Sequence, residues 1–212
     1  MYTPKFNQVT DRAVLLEAMR AYSFAILIGP QPASSLSGPE TPASIVATHL
    51  PLVVKDNGPH GLIEGHFAMA NRHHQALAGR ETLVIFPGPH SYVSPAFYVE
   101  EKSVPTWNYI AVHAYGTLTL VEDNEGKEAL LADLLNIHEP AVLDHWHSMP
   151  DNYRRSMLAG IVGFRIPIAR IEGKFKISQN RLPEERANVK AAHAAGSDDQ
   201  RALAAWMERL SG

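Results

Sequence analysis

Hydrophobic and polar positions alternate most regularly over residues 105–121. From Asn108 onward the even positions are small or apolar, whereas several odd positions carry large rings with polar edges. These ring residues are Trp107, Tyr109, His113 and Tyr115. A period of two predicts a long β-strand with one core face and one aromatic face. Such an aromatic face suits a flat heteroaromatic ligand or a subunit interface, and packing inside a sandwich core is the equally weighted alternative.

Shorter apolar runs between turn signals predict further strands. They lie at residues 23–29, 43–54, 61–67, 82–86 and 161–171. Four prolines within residues 30–42 predict a loop, and Pro87-Gly88-Pro89 is expected to stop the strand before it. Glu172-Gly173 is expected to turn the chain into a last strand at residues 174–178, which makes a C-terminal hairpin.

Helical spacing predicts a few helices around these strands. Three are expected at residues 11–20, 71–79 and 126–137. Two more follow near the C-terminus: the first has Pro183 near its start and Gly196 past its end. The second opens with Ser197 and Gln200 in capping-box spacing. We expect a mainly β fold with peripheral helices, of the α+β class, built as a small β-barrel.

The domain organisation follows from the same pattern. Residues 1–181 are expected to form the barrel domain, and residues 182–212 a helical pair packed on it. A length of 212 residues suffices for one well-filled core.

Composition and charge narrow the classes of partner and compartment. A net charge of −3 argues against strong electrostatic binding to nucleic acid or to an anionic membrane. The absence of cysteine excludes disulfides, thiolate zinc sites and cysteine nucleophiles. No apolar run is long enough to span a bilayer, and the first residues lack the apolar core of a signal peptide. A cytoplasmic protein without a membrane partner is therefore expected.

Three stretches gather groups that can hold a ligand. Residues 171–181 offer two lysines, an arginine, a hydroxyl and two amides, which can hold a phosphate or ring carbonyls; a solvated hairpin is the alternative. In residues 65–74, Asn71 is a candidate N-cap, so the amides after it could receive an anion with Arg72 and His73 adding charge. The proline-rich residues 85–95 resemble a rigid loop that lines a pocket.

Other chemistries find less support. On a strand, His145 and His147, which Asp144 precedes, could share a metal as an i,i+2 pair, but no third ligand accompanies them at a recognisable spacing. No nucleophile elbow, H-E-x-x-H motif or P-loop is present. The two C-terminal helices superficially resemble a helix-turn-helix, yet the second begins with Asp198-Asp199, whose charges the DNA backbone would repel.

Six stretches in order along the chain closely resemble the PaiB family, described as FMN-binding negative transcriptional regulators within the flavin split-barrel group. They are Met1-Tyr2-Thr3-Pro4-Lys5-Phe6, Ala47-Thr48-His49-Leu50-Pro51-Leu52, residues 65–71, Gly88-Pro89-His90-Ser91-Tyr92-Val93-Ser94-Pro95, residues 104–109 with Val112-His113, and Ile161-Val162-Gly163-Phe164 leading to Ser178-Gln179-Asn180-Arg181. The resemblance covers more than four-fifths of the chain.

The resemblance implies a six-stranded split β-barrel of the PNP-oxidase-like kind. It further implies FMN as the ligand, a homodimer with the flavin at the subunit interface, a role in repressing gene expression, and DNA as a partner. This sequence departs from the family pattern at two positions, with Met69 where an arginine is usual and Arg72 where a proline is usual. Arg72 or His73 would then replace the missing arginine at the phosphate, or flavin affinity would be lower.

Taken with the resemblance, the residue pattern assigns roles to eleven candidate cofactor-binding residues. They are His66, Asn71, Arg72, His73, Tyr92, Ser94, Trp107, Asn108, Ser178, Gln179 and Arg181. Trp107 and Asn108 would cover the isoalloxazine, while Arg72 and His73, with the helix start after Asn71, would meet the phosphate. The Ser178 stretch would reach the flavin or ribityl chain, and the Tyr92 loop would close the site.

Two other functions fit the same fold. An FMN-dependent oxidoreductase, similar to flavin reductases or pyridoxamine-phosphate oxidases, would need a pocket for a second substrate, and no acid or base can be named for it. A haem-binding or haem-degrading split barrel could use an exposed histidine such as His113 as an axial ligand. Fold alone does not choose among these functions.

Overall fold

The computed structural model describes residues 1–31, 44–100 and 102–210. The strands are β1 (Gln8–Val9), β2 (Phe24–Pro30), β3 (Ile45–Pro51), β4 (Val53–Lys55), β5 (Leu62–Ala68), β6 (Glu81–Val93), β7 (Thr106–Thr117), β8 (Thr119–Val121), β9 (Ile161–Pro167) and β10 (Arg170–Lys176). The helices are α1 (Arg12–Ala21), α2 (His73–Leu77), α3 (Asn124–His138), α4 (Pro140–Ser148), α5 (Asp151–Ala159), α6 (Pro183–Ala194) and α7 (Asp198–Arg209).

The strands form two sheets. A six-stranded sheet has the order β1-β10-β7-β6-β2-β3, and a four-stranded sheet has the order β4-β5-β9-β8. The chain divides into two compact units, each assembled from separate stretches. Unit 1 comprises residues 1–18, 87–112 and 172–212, and unit 2 comprises residues 19–86 and 113–171.

Unit 1 joins the two ends of the chain to its middle. β1 pairs antiparallel with β10, in a register that places Gln8 opposite Lys174. Phe175 of β10 is fully buried and meets Trp206 of α7 edge to face, with ring centroids 5.2 Å apart. This contact docks the C-terminal helices against the sheet, because both rings remove large apolar areas from water.

Unit 2 is built around two antiparallel ladders. β2 pairs with β3 along its whole length, and β5 pairs with β9 from Leu62 opposite Pro167 to Ala68 opposite Ile161. β4 and β5 pair antiparallel as a hairpin. Phe67 and Phe164 meet in the core with ring centroids 4.9 Å apart, and both are fully buried.

The strongest sequence pattern is confirmed. β7 buries its even positions from Asn108 to Gly116, while the intervening ring residues stay partly exposed. The first predicted helix and both C-terminal helices are also confirmed, and Ser197 and Gln200 form the reciprocal capping box. The predicted loop at residues 30–42 lies outside the described residues from 32 onward, whereas Pro30 ends β2.

The prediction that Pro87-Gly88-Pro89 stops a strand is wrong, because β6 runs straight through to Val93. Proline lacks an N–H donor, so a strand tolerates it only where that donor would find no partner strand. The ladder between β6 and β2 covers Leu83–Ile85 and ends before Pro87. The edge of β6 that faces β2 therefore needs no amide donor from Pro87 or Pro89.

The predicted turn at Glu172-Gly173 is also wrong, because both residues lie inside β10. A Cβ on Gly173 would lie 2.2 Å from Leu15 Cδ2 and 3.1 Å from the backbone oxygen of Val9. The glycine is therefore needed for close packing inside unit 1, and no hairpin forms there.

Two helices, α4 and α5, escaped prediction. Helix α3 ends at His138, and Pro140 then opens α4 at the first-turn position that suits proline. His145 and His147 consequently lie on a helix, where i,i+2 side chains do not face each other, and the idea of a shared metal on a strand is wrong. Helix α2 is shorter than predicted, and Arg72 occupies its N-cap position in place of Asn71.

The expected domain boundary at residue 181 stays a prediction.

Among the residues that the structure describes, no helix has the length and apolar character needed to cross a membrane.

Candidate functional site

An aromatic face covers the start of β7 and the end of β6 in unit 1. Trp107 is 53% exposed and Tyr92 is 48% exposed, which is high for rings of this size. The Tyr92 ring meets the Trp107 ring edge to face, and His90 lies on the same indole, each pair with centroids 6.2 Å apart. Rings that stay exposed although they cluster suit a flat ligand or a partner surface.

A polar cleft of about 120 Å³ lies in unit 1, and we call it the Lys176 cleft. Its polar lining comes from Tyr98, Thr106, Asn108, Lys176, Ser178 and Arg181. Lys176 Nζ donates to the hydroxyl of Thr106 and to the backbone oxygen of Trp107, the latter at 2.7 Å. Burial lowers the pKa of Lys176, and the positive charges of Lys174 and Arg181 lower it further.

Lys176 carries an uncompensated charge. Within residues 1–31, 44–100 and 102–210, no carboxylate oxygen lies within 4.0 Å of its Nζ. A second cation, Arg181, lines the same cleft. A half-buried cation with no anionic partner among the described residues is stabilised by an anionic or oxygen-rich ligand.

Two predicted residues of the cleft hold each other. Asn108 Nδ2 donates to Ser178 Oγ at 3.0 Å, and Ser178 Oγ lies 3.2 Å from Asn108 Oδ1. Ser178 has φ = +64°, a left-handed conformation that non-glycine residues adopt at a cost in free energy. Asn108 is 1% exposed and lies on the opposite face of β7 from Trp107, so the two neighbours do not cover one ligand surface together.

Two further predicted residues of unit 1, Gln179 and Ser94, have structural roles. Gln179 accepts a hydrogen bond from the amide of Ile177 at 2.8 Å and donates to the backbone oxygen of Phe175, which fixes the turn after β10. Ser94 caps the 3₁₀ turn at residues 95–97 by accepting from the amide of Ala96. Tyr92 lies on β6 itself, so the predicted rigid loop around it is wrong.

Unit 2 contains a second polar cluster, formed by Thr48, Asn71 and His73. Thr48 Oγ1 lies 2.9 Å from His73 Nδ1, and Asn71 Oδ1 accepts from the amide of His73 at 3.1 Å. His73 is 3% exposed, and its Nε2 is buried with no hydrogen-bond partner in the part of the chain that the structure describes. Burial lowers the pKa of His73, so at pH 7 it offers a neutral imidazole and adds no charge.

The remaining predicted residues flank this cluster. Arg72 is exposed, and no described carboxylate forms an ion pair with it. His66 lies on β5 opposite Gly163 of β9, and burial lowers its pKa. Met69 is 46% exposed next to the cluster, at the position where the family pattern has an arginine.

The sequence left several members of these clusters unassigned. Thr48 lies in a stretch that carried the family resemblance, and Lys176 lies in the donor-rich stretch at residues 171–181. The sequence therefore contained a signal for each of these two residues. Tyr98 and Glu185 were not singled out. Tyr98 reaches the Lys176 cleft through tertiary contacts, and Glu185 lies four residues after Arg181, with 3.8 Å between its Oε2 and Arg181 Nη1.

The donor groups fit FMN. Within unit 1, the cations of the Lys176 cleft can serve the carbonyl edge of an isoalloxazine. Within unit 2, the exposed cation of Arg72 can serve a phosphate, and His73 Nε2 is buried without a partner among the described residues. The exposed indole of Trp107 can stack on its ring. FMN, when bound, supplies a ring that accepts and donates electrons.

Solved structures establish the fold class. The flavocytochrome Anf3 from Azotobacter vinelandii superposes with a TM-score of 0.61 at 14% identity, over 88% of this chain and 78% of that chain. A conserved hypothetical protein, Rv2991, from Mycobacterium tuberculosis gives a TM-score of 0.51 at 12% identity, over 86% of this chain and 94% of that chain. The fold is the mainly β, α+β fold of flavin split barrels.

Sequence comparison establishes the family. The protein named "Protease synthase and sporulation protein PAI 2" from Bacillus subtilis is 35% identical over 193 residues, which cover 89% of this chain and 87% of the relative. An uncharacterized protein of Aspergillus fumigatus is 29% identical over 87% of this chain and 83% of its own. The family model described as "Putative FMN-binding domain" matches residues 1–170. With the fitting donor groups, these matches place the chain in the PaiB family of FMN-binding split-barrel proteins, with FMN as its cofactor.

Proposed function

We propose that the protein is a cytoplasmic homodimer that binds FMN at the Lys176 cleft of unit 1 and acts as a negative regulator of transcription. In this proposal the cleft of one copy takes the polar edge of the isoalloxazine, and Trp107 of the second copy stacks on the ring. In unit 2, Arg72 and the cluster of Thr48, Asn71 and His73 offer a binding site for a phosphate group.

The uncompensated charge of Lys176 is the observation that carries the proposal. A lysine that is half-buried, hydrogen-bonded to Thr106 and Trp107 and flanked by Arg181 is held in place without a carboxylate partner among the described residues. Holding a cation in this way costs free energy unless a ligand satisfies it. The oxygens and ring nitrogens of a flavin are ligands of that kind.

The exposed aromatic face supports the homodimer. Trp107 and Tyr92 lie side by side and leave about half of each ring uncovered. A flavin on Trp107, covered in turn by a second copy of the chain, would remove this apolar area from water. Cysteine-free composition agrees with the cytoplasm, where disulfides are rare.

The regulatory role rests on the family and on the relative from Bacillus subtilis, which is named for protease synthase and sporulation. Helix α7 is a poor candidate for DNA recognition. Asp198 at its start is 97% exposed and Arg201 pairs with that same carboxylate, so its N-terminus presents negative charge. Regulation by α7 inserted into a DNA groove is therefore excluded from the proposal.

Titration of FMN-free protein with FMN, followed by quenching of flavin fluorescence, tests the site. Lys176→Met keeps the aliphatic stem but removes the charge, and we expect FMN binding to weaken by at least about tenfold, as loss of a charged hydrogen bond predicts. Trp107→Leu and Arg72→Met should each weaken binding as well. Lys5→Met and Arg155→Met are the matched controls, since both replace exposed cations outside the two clusters.

Unchanged affinity in Lys176→Met and Arg72→Met would sink the proposed site. The absorbance of the purified protein distinguishes the alternatives, because a Soret band would indicate haem in place of flavin. Rapid reduction of the bound flavin by a nicotinamide cofactor would favour the oxidoreductase.

The regulatory role needs its own experiment. FMN-loaded and FMN-free protein are incubated with a library of genomic DNA fragments at moderate salt. We expect a subset of fragments to be retained above the non-specific level in one of the two states. If no fragment exceeds that level in either state, direct repression is wrong.

A further inference from the structure

Glu185 in the first turn of α6 is buried and joins three parts of unit 1. Its side chain is 1% exposed. One carboxylate oxygen, Oε1, accepts hydrogen bonds from the backbone amides of Val99 and Glu100 at 3.1 Å and 3.3 Å. A carboxylate that receives two amide donors fixes the backbone that carries them.

The second oxygen of Glu185 lies near Arg181, which lines the Lys176 cleft. Oε2 lies 3.8 Å from Arg181 Nη1, and Glu100 Oε2 lies 3.9 Å from the same nitrogen. Both separations exceed the 2.7–2.9 Å of a strong charged hydrogen bond. Arg181 also lies over the ring of Tyr98, with its Cζ 3.8 Å from the ring centroid. Arg181 is thus oriented by its neighbours while its donors remain weakly engaged.

Helix α6 is attached to the same segment at a second point. Asn188 Nδ2, one turn after Glu185, donates to the backbone oxygen of Phe97 at 3.2 Å. The segment from Phe97 to Glu100 is therefore held at both ends by α6. Tyr98, between these two points, lines the Lys176 cleft.

We propose that Glu185 is a positioning residue for the cofactor site, through which helix α6 both shapes the Lys176 cleft and responds to its occupancy. The inference rests on the proposed function, because FMN in the cleft is the occupant. Glu185 acts in two opposed ways. Its Oε1 holds the segment of Tyr98 and so favours binding, whereas its negative charge competes with the flavin for Arg181 and so opposes binding.

Two substitutions separate these contributions. Glu185→Gln keeps an oxygen that can accept from Val99 and Glu100 but removes the charge, so Arg181 turns more fully to the flavin and FMN affinity should rise about twofold to fivefold. Glu185→Ala removes the acceptor as well, and FMN affinity should fall by about tenfold, as loss of two charge-assisted hydrogen bonds predicts. Glu184→Gln changes an exposed carboxylate in the same turn and is the control.

Hydrogen exchange supplies a second readout that does not depend on affinity. In the wild-type protein, FMN should slow exchange of the Val99 and Glu100 amides, since Arg181 gains a partner and the segment tightens. Without FMN, these two amides should exchange faster in Glu185→Ala than in Glu185→Gln or Glu184→Gln. A purely structural role predicts that the Gln and Ala variants both weaken FMN binding.

The outcomes distinguish this inference from the function on which it rests. If the wild type binds FMN and Lys176→Met weakens it, but Glu185→Gln and Glu185→Ala shift the affinity in the same direction or not at all, the role of Glu185 is overturned and the cleft stands. If the wild type does not bind FMN, both are overturned.

Discussion

Asn108 and Ser178 satisfy each other inside unit 1 through hydrogen bonds that join β7 to the turn after β10. Both are buried, at 1% and 4% exposed. Ser178 is also the one non-glycine residue with positive φ among residues 1–31, 44–100 and 102–210. A strained residue held by a buried amide is typical of sites where the backbone must keep one shape.

Loss of the Asn108 amide should therefore destabilise the protein. Asn108→Ala leaves the Ser178 hydroxyl buried without a partner, and we expect the free energy of unfolding to fall by about 1–3 kcal/mol. Urea denaturation followed by far-UV circular dichroism measures it. Gln75→Ala, which removes an exposed amide on α2, is the control and should change little. An unchanged midpoint in Asn108→Ala would contradict the prediction.

The conformation of Ser178 gives a second prediction. Ser178→Ala loses the hydrogen bond and keeps the left-handed backbone, whereas Ser178→Gly loses the hydrogen bond and removes the steric cost. We expect the glycine variant to be more stable than the alanine variant by about 1–2 kcal/mol. The order is the reverse of that at an ordinary strand position, where glycine is the weaker residue. Equal unfolding midpoints would show that the turn relaxes.

Gly116 permits a close approach between β7 and β9 in unit 2. A Cβ there would lie 2.2 Å from the backbone oxygen of Pro167 and 2.7 Å from Ile166 Cγ2. Gly116→Ala should lower the free energy of unfolding by about 1–3 kcal/mol or more, because backbone has to move. Gly160→Ala is the matched control, since its Cβ would meet only Met157 O, at 3.3 Å. Comparable thermal midpoints for the two variants would refute this account of Gly116.

Buried histidines should make the protein sensitive to acid. Burial lowers the pKa of His193, which is fully buried with both ring nitrogens unpartnered in the described part of the chain. A group whose pKa is lower in the folded state contributes stability that is present above about pH 6.5 and is lost as the pH falls through its folded pKa. Burial lowers the pKa of His73 too, with the same sign.

The free energy of unfolding should thus decrease below pH 6.5, by at most about 1.4 kcal/mol per pH unit for each such histidine. His193→Leu should make the decrease shallower, whereas His138→Leu at an exposed position should leave the slope unchanged. Denaturation at a series of pH values from 7.5 to about 5 gives the slopes. Parallel profiles for wild type and His193→Leu would remove His193 as the cause.

Sequence pattern predicted what depends on local geometry. The two faces of β7 follow from alternation alone, and the capping box of α7 follows from two residues three positions apart. The prediction that Pro87 stops a strand was wrong because the effect of a proline depends on whether a neighbouring strand needs an amide donor at that position. That depends on the tertiary structure. The turn predicted at Gly173 was wrong for a similar reason. The glycine is required by close packing against Leu15, and the sequence alone does not distinguish that requirement from a turn.

The candidate site was predicted in pieces. Runs of donors along the chain pointed to Asn71, Arg72 and the Ser178 stretch. Partners from distant parts of the chain were missed, among them Thr48 beside His73 and Glu185 beside Val99. Thr48 lies in a stretch that carried the family resemblance, but its contact with His73, like the contacts of Glu185 with Val99 and Glu100, follows only from the fold.

The pairing of β1 with β10 also constrains how the chain folds during its synthesis. Gln8 and Val9 leave the ribosome long before their partners Lys174 and Gly173 are made. Strand β1 must therefore remain unpaired until β10 has been synthesised. Unit 1 cannot close on a nascent chain, so pausing or truncation late in translation would expose the apolar side of α1 to chaperones and proteases while unit 2 already has its ladders.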